Sequence, residues 1–183
     1  GGLALPLLAT QLLWINLLSD GAPALALGVD PPDEALMNRP PRPRGERVVT
    51  GGMWAGILLV GVATAASTLL ALDMALPGGL IEGSGTMRRA QTLAFTTLSL
   101  AQVFNAFNAR SERRSAFTRL FANPWLWAAV GLSIALQVAV VYVPFLQRAF
   151  STTALSGGDW LRCTALASIT LWGREASTLF KRT

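Results

Sequence analysis

Asn16, Ser19 and Asp20 are spaced i, i+3 and i+4, so a helix carries all three on one face. Each offers oxygen, and a hard cation such as calcium collects about 6–8 oxygens from carboxylates, amides, carbonyls and water. Asp20 lies in an apolar stretch with no Arg or Lys nearby in sequence. If that stretch crosses a bilayer, a carboxylate near its centre costs about 2.5–3.5 kcal/mol on insertion scales. Such a group faces the protein interior or a water-filled path and finds a partner there. Gly21 and Pro23 follow directly. Pro23 has no N–H, and its ring clashes with the carbonyl four residues back, at Ser19. These residues predict a helix broken near Gly21-Pro23, with the Ser19 carbonyl freed beside the polar cluster. A proline kink with a polar packing seam would account for Asn16 and Ser19 alone; the carboxylate of Asp20 favours a cation site.

One helix supplies three or four oxygens at most, so other helices must supply the rest. Gln102, Asn105 and Asn108 form a second polar run, spaced 3 and 3. All three could face inward, and helix–helix hydrogen bonding is a sufficient role for each. Gln102 lies deepest and is the ligand candidate among them. Gln137 stands alone in its segment and reads as packing.

The elements that must position these groups follow from composition. The chain has 183 residues, 52% hydrophobic and 14% charged, where a soluble domain carries about 25% charged residues. Trp54–Leu72, Ala90–Ala109 and Leu120–Gln147 contain no charge. Uncharged apolar runs of about 18 or more residues read as membrane helices. The expected fold is therefore all-α and membrane-embedded. One domain over 1–183 has five spans at about 3–28, 52–76, 89–109, 122–146 and 157–180. The last span has the shortest uncharged core, bounded by Arg162 and Arg174; long Arg side chains can reach the headgroups, and Trp160 and Trp172 suit the two interfaces.

Arg39, Arg42, Arg44 and Arg47 follow the first segment, Arg110, Arg113, Arg114 and Arg119 the third, and Arg174, Lys181 and Arg182 end the chain. Arg88, Arg89, Arg148 and Arg162 fall on the opposite side. The positive-inside rule then puts the N-terminal end outside and the C-terminus in the cytoplasm. The same topology explains the net charge of +5 without nucleic acid as a partner. Membrane lipid is the partner it implies. The 29–51 loop mixes Arg and acidic residues with Pro31, Pro32, Pro40, Pro41 and Pro43, and is either a plain linker or a stiff contact to a soluble domain. Cys163 is the single cysteine and His is absent, which excludes an internal disulfide and a Cys/His metal centre. Fourteen of fifteen basic residues are Arg, a bias that suggests a bacterial source and so a bacterial plasma membrane. The chain opens on Gly1 with no secretory leader pattern, and the expectation is a piece whose N-terminal part is missing.

Gln11–Gly28 reads Q-L-L-W-I-N-L-L-S-D-G-A-P-A-L-A-L-G, followed by Pro31-Pro32 and by Met37-Asn38-Arg39-Pro40-Pro41-Arg42. This stretch closely resembles the sixth membrane helix and following cytoplasmic loop of P-type calcium ATPases, whose pattern is Q-L-L-W-x-N-L-x-S/T-D-G-x-P-A-x-A-L-G, then P-P and M-x-R-P-P-R. Asn105–Ser111 resembles the end of that family's eighth helix, and the remainder fits its ninth and tenth by hydropathy and loop length. The resemblance implies that Asn16 and Asp20 are cation ligands, that Ser19 belongs to the site, and that the 29–51 loop, with Pro31, Pro32, Arg39, Pro40, Pro41 and Arg42, couples the site to the phosphorylation domain. Gln102 falls where two-site members have Glu and one-site members have Gln, which implies one calcium. It also implies ATP hydrolysis through an aspartyl-phosphate, with magnesium and ATP bound in domains outside this chain. The missing N-terminal part of the pump is then the protein partner. Nothing here resembles the phosphorylated D-K-T-G segment, so this piece alone is expected to be inactive.

Other readings stay open at this point. Manganese, magnesium, sodium or potassium could replace calcium, since ligands on one helix do not fix the ion. A secondary transporter would show paired broken helices in an inverted repeat, and no repeat is visible. A non-catalytic membrane subunit would not need Asp20.

Overall fold

The computed structural model describes residues 6–30, 51–76, 78–81, 83, 85–109 and 120–180. Among them the chain is helical, with no strand. The first apolar segment forms α1 (Ala9–Trp14), a π-helical turn (Ile15–Asp20) and α2 (Gly21–Gly28). The predicted break near Gly21-Pro23 is therefore displaced. Gly21 is right-handed helical at φ −65° and ψ −48°, and Pro23 lies inside α2. The irregularity sits one turn earlier. A wide turn restarts the α register at Gly21, so Pro23 falls in the first turn of α2, a position where proline is tolerated.

The second segment is α3 (Gly51–Asp73) and the third α4 (Met87–Ala109). Between them the Asp73 carboxylate accepts from the N–H groups of Leu80 and Ile81, both at 3.0 Å, and so turns the chain back. After a short 3₁₀ turn (Leu120–Ala122), α5 runs over Pro124–Tyr142 and α6 over Pro144–Phe150. The expected single span 122–146 is thus interrupted. Val143 is extended, as a residue before proline prefers to be, and Pro144 opens the new helix at its first position. The last helix, α7 (Gly157–Phe180), is unbroken. Its start is fixed by a reciprocal cap: Ser156 N–H donates to Asp159 Oδ2 at 3.0 Å, and Asp159 N–H donates to Ser156 Oγ at 3.2 Å. With α1, the π turn and α2 continuous as one helix and the fourth segment divided at Val143, the described residues hold six helices where five are expected.

Helix α4 is the hub. One buried cluster joins Ala90, Leu93, Ala94 and Ala101 of α4 to Ala71 and Leu72 of α3 and to Cys163 and Ala167 of α7. A second joins Val103, Ala106 and Phe107 to Ala26 of α2 and to Leu126 and Val130 of α5. Ile15 of the π turn packs with Phe95 of α4 and Val140 of α5. Among the described residues, two helical stretches, Met53–Asp73 and Pro124–Tyr142, are long and apolar enough to cross a membrane. The Thr, Ser, Gln and Asn content of α4, and the charges Asp159, Arg162, Arg174 and Glu175 of α7, keep those two helices below that mark.

Candidate cation site

The π turn covers Ile15 to Asp20 and so holds Asn16, Ser19 and Asp20 in one wide turn of backbone. Its orientation is fixed by Ile15, which is 3% exposed against α4, while the adjacent Asn16 is exposed. A Cβ on Gly21 would meet the Asn16 carbonyl oxygen at 3.8 Å, an ordinary contact five residues back in the chain. Insertions of this kind are found disproportionately at functional sites. The side chains of Ser19 and Asp20 lie outside the described residues, as do Pro31, Pro32, Arg39, Pro40, Pro41 and Arg42 of the expected coupling loop.

Just past this turn a cleft of about 120 Å³ separates α2 from α4. Pro23, Ala24 and Leu27 line one wall; Gln102, Asn105 and Ala106 line the other. Gln102 and Asn105 are both half-buried there. Gln102 is thus brought to α2, but Asn16 does not line the same cleft.

Asn108 parts company with the other two amides. Its Nδ2 donates to the Thr170 carbonyl of α7 at 3.2 Å, and the residue is 4% exposed. Steps of three residues drift about 60° each around a helix, so Asn108 sits about 120° from Gln102 and meets a different neighbour. Gln137 is 1% exposed and donates through Nε2 to Thr96 Oγ1 at 3.2 Å, a helix–helix contact.

Two amides that sequence reasoning gave no structural role hold the first segment in place. Gln11 is fully buried; its Oε1 accepts from Leu8 N–H at 3.0 Å and its Nε2 donates to the Phe150 carbonyl at 3.0 Å. It ties the start of α1 to the end of α6, and Trp14 meets the Phe150 ring edge-on at 4.8 Å. Asn123 is 1% exposed. Its Oδ1 caps α5 by accepting from Leu126 N–H at 3.1 Å, and its Nδ2 donates to the Ala26 carbonyl at 2.8 Å and to Asp30 Oδ1 at 2.9 Å. Asn123-Pro124 is a legible N-cap signature, asparagine followed by proline at the first helical position. Its second task, holding the end of α2, is a long-range contact that no local pattern encodes.

Residues 4–180 match the family described as cation transporting ATPase, C-terminus. The chain is 41% identical over 168 residues to calcium-transporting ATPase 1 of Yarrowia lipolytica, covering 91% of this chain and 18% of that protein. It is 37% identical over 185 residues to a calcium-transporting ATPase of Bacillus subtilis, covering 98% of this chain and 20% of that one. Against calcium-transporting ATPase type 2C member 2 of Mus musculus it is 36% identical over 164 residues, or 89% and 17%. The chain therefore spans about a fifth of the length of these relatives. With nearly all of its length matched, this membrane protein belongs to the C-terminal family of the P-type cation-transporting ATPases.

Proposed function

We propose that this chain is the ion-binding membrane region of an ATP-driven pump that exports calcium, one ion per cycle. The observation that carries the reading is the π-helical turn over Ile15–Asp20, where the regular ladder gives way at the residues whose side chains are oxygen donors. Pro23 offers the Ser19 carbonyl no N–H, which leaves that oxygen for an ion. Asn16, Ser19 and Asp20 supply side-chain oxygens, and Gln102 adds an amide from across the α2–α4 cleft. An amide at Gln102 in place of a carboxylate keeps the site's negative charge low, which suits a single divalent ion. The names of the relatives favour calcium over manganese, magnesium, sodium or potassium.

In this reading the chain crosses the membrane five times, with its N-terminal end outside and its C-terminus in the cytoplasm of a bacterial cell. The 29–51 loop touches the phosphorylation domain through Pro31, Pro32, Arg39, Pro40, Pro41 and Arg42. ATP and magnesium act in domains beyond this chain. The test is Asp20→Asn in the complete protein, read as calcium-dependent phosphorylation by ATP. The expected result is loss of phosphorylation at any calcium concentration that saturates the parent. A variant that phosphorylates at the parent's calcium concentration removes Asp20 from the site.

A further inference from the structure

Away from the cation cleft, the end of α3 and the starts of α4 and α7 enclose a second cavity of about 280 Å³. Ala71, Leu93 and Leu166 give it an apolar floor, and Arg89, Asp159 and Arg162 a charged rim. Among the described residues the rim carries two guanidiniums and one carboxylate. Asp159 is almost wholly buried, and Arg89 Nη2 lies 3.0 Å from both of its oxygens, one of which also accepts from Ser156 N–H. Arg162 reaches the same carboxylate only at 3.9 Å, beyond hydrogen-bond length, and its side chain is 63% exposed. Among the described residues one carboxylate thus answers two guanidiniums, and Arg162 makes no hydrogen bond to it.

The cavity is held open by backbone. Gly85 N–H donates to the Ala75 carbonyl at 3.0 Å and Gly83 N–H to the Leu76 carbonyl at 3.3 Å, which pins this connection onto the end of α3. A Cβ on Gly83 would lie 2.6 Å from the Met74 carbonyl oxygen, and one on Gly85 2.7 Å from that of Ala75. Only glycine allows so close an approach at both positions, and no side chain from either fills the space. Nearby, Trp160 donates its indole N–H to Tyr142 Oη at 3.0 Å, an amphipathic pair of the kind found at headgroup depth.

We propose that this cavity binds a phosphate oxyanion, the headgroup phosphate of an anionic membrane lipid, with Arg162 as the principal donor and the acyl chains against the apolar floor. Guanidinium matches phosphate in geometry as well as charge. The proposal depends on the chain lying in a membrane and not on which ion is carried.

The experiment is native mass spectrometry of the complete protein with phosphatidylglycerol, phosphatidylcholine or inorganic phosphate. The parent should retain phosphatidylglycerol over phosphatidylcholine, and Arg162→Gln should retain about fivefold less of it. Arg162→Lys, which keeps the charge without the planar fork, should retain an amount between the parent and Arg162→Gln, and Arg148→Gln, an exposed basic position on α6, should match the parent. Lipid that inorganic phosphate does not displace assigns the site to the lipid; displacement by inorganic phosphate assigns it to the free ion. Equal retention by the parent and Arg162→Gln overturns the proposal.

Discussion

Helix α4 and the pair α3 and α5 are built by opposite rules. Helix α4 is among the least apolar of the long helices, yet it is buried nearly all round, with Thr92, Thr96, Thr97, Ser99 and Asn108 inside. Helices α3 and α5 pass as membrane spans, yet they expose Ile57, Leu58, Val62 and Leu69, and Trp125, Leu132, Ile134 and Val138. In water this arrangement is inverted, since exposed apolar area is what folding removes. In lipid it is expected. Hydrocarbon solvates the apolar faces without cost, and helices associate through small residues and hydrogen bonds. The α4 contacts have that composition: Ala90, Ala94 and Ala101 let neighbours approach, and Thr96 and Asn108 bond across to α5 and α7.

The sharpest way to break this comparison is a charge on the outward face of α3. Val62 is 67% exposed near the middle of the helix. Val62→Arg should cost about 2.5–3.5 kcal/mol if hydrocarbon covers that face, and within about 0.5 kcal/mol if water does. Membrane integration of the complete protein, scored by a glycosylation reporter, reads the difference. Normal integration and yield would mean that the exposed face of α3 does not meet lipid.

A smaller effect is expected from overfilling the α4 side. Ala101 is fully buried between α3 and α7, so Ala101→Leu should destabilise by about 1–3 kcal/mol. Ala66→Leu, on the exposed side of α3, should change thermal unfolding in detergent little. Equal loss in both variants would remove the distinction between a packed face and a lipid face.

This division also explains what could be read from the sequence. Apolar runs without charge mark α3 and α5, because lipid-facing helices report their solvent directly. The same absence of charge marks helix α4, but not the sorting of its amides. Gln102 and Asn105 turn to α2 while Asn108 turns to α7, and that depends on which neighbour lies on each side. Pro23 marked an irregular first segment, yet pointed to a break at itself and not to the π turn before it, since proline chemistry says nothing of the register upstream. Pro144, which ends the helix at Val143, leaves no mark in the hydropathy because the apolar run continues through it. The buried tasks of Gln11 and Asn123 join residues 139 and 97 positions apart and leave no local trace.

The smallest expected effect tests whether a buried amide in this hub is structural or part of the ion path. Gln137 donates to Thr96 Oγ1, while its own Oε1 has no partner among the described residues. Gln137→Leu loses one interhelical bond, worth about 0.6 kcal/mol on average in a membrane, and also removes a buried unpaired acceptor, so its net effect should stay within about 1 kcal/mol. Thr96→Val should cost more, because it leaves both ends of the Gln137 amide unpaired. The double variant should then resemble Gln137→Leu alone. Calcium affinity of the complete protein separates this position from the cleft: Gln102→Ala should lower it, and Gln137→Leu should leave it unchanged. A matching loss in both variants would put Gln137 on the ion path and remove the separation between the α4–α5 seam and the α2–α4 cleft.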